Sequence, residues 1–501
     1  MSRRVAQRTL SVIGVVAVGV AVGWIGWLWY SSRLPDTYSV MDYGVLDYGG
    51  GTVPGVSANT HHHHPGAAGL GTSVADLHGP AGTPDDRFTL TARSARVKLA
   101  SGKTIDALTF DGTVPGPELR VRQGDLVEVT LGNKDVAAGV TIHWHGVDVP
   151  NAEDGVAGVT QDAVLPGQRY TYRFRVSQVG TFWYHTHQTS SKEVARGLFG
   201  AFVIEPRHPV TPDGLDLALV GHTFDVFPTL NGNAELARRA VAPGTPVRLR
   251  LVNSDSTPER FALEGTPFRV LALDGTDLVG PTPLANETIV VAAGGRADLG
   301  FTMPRAPVRL SIDQTNVGLA LSASGSASPP AGPTDRPVFD PTTYGHPAPT
   351  PFDSHSRFDR RFRLSIGRRP GFLDGKPGLQ WTIDGHVYPD IPIFVVRKDD
   401  LVEVTIENHT HSVHPMHLHG HHVLVLSRDG RPVSGSPWWP DTLNVEPAES
   451  YVVAFRADNP GIWMDHCHNL AHAAAGLTMH VAYANVATPF DIGDVAHNHP
   501  E

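Results

Sequence analysis

Residues 463–479, WMDHCHNLAHAAAGLTM, hold the only cysteine of the chain, Cys467. It stands between His466 and His468, with His472 five residues on. A thiolate grouped with imidazoles and a weak axial partner is a copper-binding combination of the blue type. Successive side chains of a strand point to opposite faces. His466 and His468 therefore face one way and Cys467 the other, so one short segment can serve two metal sites back to back.

Three more histidine clusters supply partners: His143 with His145, His185 with His187, and His414 with His417 and His419. Each H-x-H pair on a strand presents both rings on one face. His414 lies three positions before His417 and faces the other side, with Cys467. His472 lies past the strand end and can fold back. The sorting gives a mononuclear site of His414, Cys467 and His472, and a second site where the other eight histidines converge.

These clusters sit at matching points of an internal repeat. VRQGDLVEVTLGN (residues 121–133) returns as VRKDDLVEVTIEN (residues 396–408), and each copy leads into a histidine pair and glycine, HWHG and HLHG. Residues 168–187 return as residues 449–468, with Gly180 matching Gly461 and both histidines of each pair aligned. Residues 243–254, PGTPVRLRLVNS, are a fainter third copy with no H-x-H after it. Apolar residues alternate with period two in these stretches, and the 52 Gly and 41 Pro suit many short strands joined by turns. The expected fold is all-β: three β-sandwich domains at 87–207, 208–321 (without a copper motif) and 357–486, with a linker at 322–356. One short helical patch is expected at 234–240.

The N-terminus reports location. Residues 9–32 carry no charge; Arg3, Arg4 and Arg8 precede them and Arg33 follows. The run is long enough to span a bilayer, and the positive-inside rule leaves the body outside the cytoplasm. Residues 1–32 are read as a cytoplasmic tip and single-pass transmembrane anchor, with Trp24, Trp27, Trp29 and Tyr30 at the outer interface. A cleaved signal peptide, giving a secreted protein, is the alternative. Residues 33–86 are rich in Gly, Pro, Ser and Thr and read as a flexible tether; their histidine run, residues 61–64, can capture copper or simply lie in solvent. A net charge of −10 argues against nucleic acid as a partner.

The four clusters resemble the signature of the multicopper oxidases, specifically the three-domain laccase type, over about residues 88–485. The resemblance implies three cupredoxin-like, Greek-key sandwiches and four copper ions. It implies type 1 copper at His414, Cys467 and His472, and type 2 copper at His143 and His417. One type 3 copper falls to His145, His185 and His468, the other to His187, His419 and His466. The implied activity is that of an oxidase. It takes single electrons from phenolic or other aromatic donors at type 1 copper and reduces dioxygen to water at the trinuclear cluster. Cys467 is covalently continuous with His466 and His468, which gives electrons a bonded route. Alternatives are a cuprous or manganese oxidase and a copper-binding envelope protein without turnover. Six methionines, none clustered, rank aromatic donors ahead of cuprous ion.

Many relatives carry an axial Met ten residues after the cysteine. Here that residue is Leu477, with Met479 two further on. Asp154, nine residues after His145, matches an acidic position that relatives keep near the cluster and is expected to relay protons. The acid that some bacterial relatives place after the last type 1 histidine is Ala473 here; Asp465 is the candidate substitute, or a residue that orients His466. Trp438 and Trp439 line a donor pocket or pack a loop. His222 and His480 read as structural.

Overall fold

The computed structural model describes residues 3–52, 71–99, 102–208, 214–312, 315–330, 332–333 and 335–501. The histidine run at 61–64 lies outside the described residues. The body consists of paired β-sheets, each pair enclosing its own apolar core.

In the first pair, the sheet Thr104–Phe110, Asp86–Lys98, Leu126–Asn133, Arg169–Arg175 faces the sheet Leu119–Arg122, Phe199–Glu205, Gly180–His185, His143–His145. The last pair repeats the plan. Leu401–Asn408 runs beside Ser450–Arg456 in one sheet, and Ile462–Cys467 beside His414–Leu418 in the other. The middle pair, between Leu215 and Ser322, is built from strands with no histidine pair. The repeated asparagine has the same task in all three. Asn133 Nδ2 donates to the Val136 and Val164 carbonyls, Asn408 Nδ2 to Ser412 and Val445, and Asn253 Nδ2 to Thr257 and Val291. A buried amide that satisfies two loop carbonyls ties one sheet to the other.

Alternation decides what the strands bury. In Leu126–Asn133, every second side chain enters the core and Glu128, Thr130 and Gly132 lie between. Leu401–Asn408 repeats this burial pattern position by position.

Two expectations differ from the structure. Residues 234–240 contain no helix; Leu236–Ala240 is a strand paired in parallel with Gly318–Ser322. Leu, Ala and Arg favour helices locally, and edge pairing overrides that weak preference. The segment 33–86 is not wholly a free tether. Val45–Asp47 pairs with Pro392–Val396, Thr72–Ser73 pairs with Val486–Ala487, and Val74 is fully buried. Val45–Asp47 covers a sheet edge of the third pair, and Thr72–Ser73 forms a small two-stranded sheet with Val486–Ala487.

The N-terminal helix Arg3–Ser31 contains the apolar span Val12–Ser31, with mean hydropathy 2.1 and none of it buried in the protein.

Candidate metal centre

Cys467 ends the strand Ile462–Cys467 and is fully buried. Its Sγ lies 3.6 Å from His414 Nδ1 and 3.7 Å from His472 Nδ1. His414 begins the neighbouring strand His414–Leu418, and His472 sits on the short helix Leu470–Ala474 that folds back over it. His414 Nε2 is fixed by Thr410 Oγ1 at 2.8 Å, so its other nitrogen is turned to the sulfur. Trp381 packs on both rings, 4.9 Å from His414 and 4.4 Å from His472 between ring centres.

On the opposite face, eight buried histidines meet. His143, His145 and His185 form one group of donor atoms within 4.8 Å of each other; His143, His417 and His419 form another; His187, His419 and His466 a third. His468 completes the set, its ring centre 4.9 Å from His145 and 5.4 Å from His185. Nε2 atoms point at one another across the two repeats, His143 to His417 at 3.4 Å and His187 to His466 at 3.4 Å, and within the second, His419 to His466 at 3.3 Å. The far nitrogens are anchored. His143 Nδ1 donates to the Asp154 carbonyl, His417 Nδ1 to the Asp441 carbonyl and His185 Nδ1 to the Thr186 carbonyl. Such anchoring fixes the tautomer and aims the free lone pair inward.

His145 Nδ1, His185 Nε2, His187 Nδ1, His466 Nδ1 and both nitrogens of His468 are buried without a hydrogen-bond partner. Orphaned buried polar atoms each cost about 1–3 kcal/mol. Cations that accept lone pairs from His145 Nδ1, His185 Nε2 and His468 remove part of this cost, while the outer Nδ1 atoms of His187 and His466 are not reached by them; imidazole with thiolate is a donor set that suits copper. The residues present fit the metal.

Asp154 is buried, with its carboxylate 3.0 Å from His419 Nδ1 and 3.1 Å from His143 Nδ1. It therefore grips two rings of the cluster from opposite repeats. Asp465 does not orient His466, whose Nδ1 has no partner; strand alternation puts the carboxyl on the Cys467 face, where burial pushes it up to about 7. Leu477 is fully buried, and its carbonyl accepts the Cys467 N–H at 3.1 Å. Met479 stands opposite Asp465 on the next strand. His222 is held by Ser254 Oγ and the Ala195 carbonyl away from both sites. Trp438 is buried in the third core, and Trp439 packs on Phe352.

Three further residues support the sites. Asp441, just before strand Thr442–Val445, is fully buried and forms a two-pronged ion pair with Arg296 from the middle sheet pair. Its carboxylate also lies 3.3 Å from His145 Nε2 and 3.3 Å from His422 Nε2. Burial alone would push the Asp441 carboxyl up; Arg296 outweighs that and holds it well below the usual range. Trp381 is the third. None of the three lies in a local motif: Asp441 precedes a strand, Arg296 begins one and Trp381 lies within one.

Burial lowers the proton affinity of nine of these histidines, helped by the neighbouring imidazoles in eight and by Arg368 at His472; His414 and His466 fall to about 3 and His472 to about 4. The unfolded chain takes up protons on these rings near pH 6.5, and the folded chain does so only well below. The contribution of these rings to the stability of the metal-free protein is therefore full above pH 6.5 and falls as pH drops. Buried Asp274, Glu193 and Asp465, raised to between about 7 and 8, act in the opposite sense but are outnumbered. The metal-free chain should lose up to about 2 kcal/mol per fully buried ring between pH 6.5 and 5. Urea titrations at both pH values measure it; equal midpoints would contradict the assignment of neutral rings.

Sequence profiles described as multicopper oxidase match residues 91–209 and 367–486. The multicopper oxidase MmcO of Mycobacterium tuberculosis is 28% identical over 83% of this chain and 91% of its own length. Laccase-1 of Botryotinia fuckeliana is 27% identical over 76% of this chain and 79% of its own. Yeast iron transport multicopper oxidase FET3 is 26% identical over 79% of this chain and 74% of its own. Among solved structures, the multi-copper oxidase of Pseudomonas thermotolerans covers 80% of this chain and all of its own, with 29% identity and a TM-score of 0.66. The paired sheets are cupredoxin-like sandwiches, as in these relatives.

Proposed function

Because the chain belongs to the multicopper oxidase family, we propose that it oxidises phenolic and other aromatic donors, outside the cytoplasm and anchored by its N-terminal helix. It is a copper-dependent oxidoreductase that uses dioxygen. His414, Cys467 and His472 would hold type 1 copper, and His143 with His417 type 2. His145, His185 and His468 would hold one type 3 ion; His187, His419 and His466 the other. When bound, copper supplies the one-electron steps that join single-electron donors to the four-electron reduction of dioxygen.

The observation that carries the reading is one strand with a thiol on one face and cluster histidines on the other. Cys467 lies between His466 and His468, so each of them is one peptide unit from the sulfur. Burial, with the nearby Asp465 carboxyl adding to it, pushes the Cys467 thiol above its usual value. The thiol proton therefore leaves with metal binding, which makes metal uptake at this site favour higher pH. Asp154 holds His143 and His419 by their outer nitrogens and is the carboxyl nearest to hand for a proton on its way to reduced oxygen. Aromatic donors are favoured over cuprous ion by the lack of clustered methionines among the six.

Oxygen uptake with a phenolic donor, measured on fully copper-loaded chain, tests the reading. Uptake is expected; none with any donor would reject it. Two variants refine the roles. Leu477→Met should lower the type 1 potential, because a thioether would add electron donation that a leucine lacks; an unchanged potential in redox titration would argue against Leu477 at the axial position. Asp154→Asn should slow reoxidation of the reduced enzyme by dioxygen by about 10²-fold, with the blue absorption retained. Equal reoxidation in stopped-flow would remove Asp154 from proton delivery.

A further inference from the structure

The N-terminal helix ends against the third sheet pair. Ser32 Oγ accepts the Gly375 N–H at 3.0 Å. Trp29 lies beside the same glycine, and Arg33 sits over the Trp29 ring, 5.3 Å from its centre. Gly375 is in the turn between strands Arg360–Leu373 and Lys376–Ile383. The second of these strands carries Trp381, the ring packed on His472.

Under that turn is a cavity of about 230 Å³, walled by Leu34, Tyr38, Leu373, Tyr388, Ala473 and Ala474. Ala473 and Ala474 directly follow His472. Leu34 is three residues beyond Ser31, the last residue of the apolar span. Three residues of chain reach at most about 10 Å, so this wall of the cavity cannot stand farther than that from the membrane end of the helix. The walls are mainly apolar, and the Tyr38 and Tyr388 hydroxyls meet at 2.6 Å inside them. Burial holds both phenols protonated; one hydroxyl hydrogen lies between them, and the other is left to donate to an oxygen of a bound ring.

Two features of this cavity favour a donor from the bilayer. Its wall includes Ala473 and Ala474, which directly follow His472, and its Leu34 wall stands within about 10 Å of the membrane end of the helix, within reach of an amphipathic ring whose lipid tail stays in the bilayer. A water-soluble phenol needs no such placement. We propose that the natural donor is a lipid-soluble hydroquinone, taken from the outer leaflet and bound with its ring in the cavity beside His472.

This rests on the oxidase reading and on retention of the helix. Each hydroquinone loses two electrons, one at a time, and the two protons of its hydroxyls, and leaves as the quinone. Two hydroquinones supply the four electrons and four protons that convert one dioxygen to two waters. The protons leave to solvent at the edge lined by the exposed His499.

The test uses the full chain in phosphatidylcholine–phosphatidylglycerol vesicles containing a long-chain isoprenoid hydroquinone. Copper-loaded protein is followed by loss of blue absorption under argon and by oxygen uptake in air. Copper-free protein is labelled with a lipid-soluble azidoquinone, which reads binding without turnover. The expected result is bleaching, oxygen uptake, and label in residues 373–376 or 473–476. Ala474→Trp and, from the facing wall, Lys376→Trp should each reduce labelling and lipid-hydroquinone oxidation at least tenfold. Oxidation of a water-soluble phenol without oxidation of the lipid hydroquinone overturns this proposal and leaves the oxidase intact, as does labelling confined to other segments. Failure of both donors on fully loaded protein overturns the oxidase reading as well.

Discussion

Cys467→Ser should abolish oxidation of every donor, by about 10³-fold or more, while the chain still folds and keeps copper at the histidine cluster. Serine is smaller and harder than cysteine and does not hold copper as a thiolate does. The site is enclosed, with Sγ fully buried between His414 and His472, so no nearby group can replace the sulfur. The eight cluster histidines lie on the other face of the strand and do not depend on the side chain at 467. The expected outcome is three coppers per chain in place of four, no blue absorption and no turnover. Copper analysis with visible spectra on the same sample checks it. A variant that retains the blue band would contradict the thiolate site, and one that loses all copper would contradict two separable sites.

Asp441→Ala should have the largest effect on folding. It leaves the Arg296 guanidinium, fully buried, with its two-pronged partner gone. Asp274, 3.5 Å away, is the remaining carboxylate beside it. Breaking a buried pair by removing one member costs about 3–5 kcal/mol. Here the loss also takes from His145 and His422 the carboxylate whose two oxygens they face. Chemical denaturation of the metal-free variant should show this loss, and reconstitution should yield less than full copper at the cluster. Replacing both members, Asp441→Leu with Arg296→Met, should recover part of the stability, since the buried guanidinium leaves with its partner, although Asp274 then loses its guanidinium neighbour. Full stability in the single variant would show that Asp441 is not the strut between the middle and last sheet pairs.

The sequence was readable where the chemistry is local and periodic. H-x-H on a strand puts two rings on one face by alternation alone, and the offset of His414 from His417 put it with Cys467. The repeat then paired the clusters, because equal positions in duplicated sandwiches occupy equal places. Asp441 and Arg296 escaped because they are 145 positions apart and meet only through tertiary packing. Trp381 escaped for a similar reason: its long hairpin has no motif, and only the fold carries it onto His472. Residues 234–240 misled because Leu, Ala and Arg suit a helix locally, whereas the backbone of Leu236–Ala240 completes a sheet edge. The docking of Val45–Asp47 and Thr72–Ser73 was hidden too, since edge pairing uses main-chain groups that every sequence has. Asp154 is singled out by its match to an acidic position of the resembling family, but its contact with rings of both repeats required coordinates.

The most direct measurement is copper K-edge X-ray absorption on the reconstituted chain, with copper counted on the same sample. Four coppers with a single short copper–sulfur path, the rest of the first shell being nitrogen and oxygen, is the expected result. Copper bound without any sulfur scatterer would contradict a centre built on Cys467.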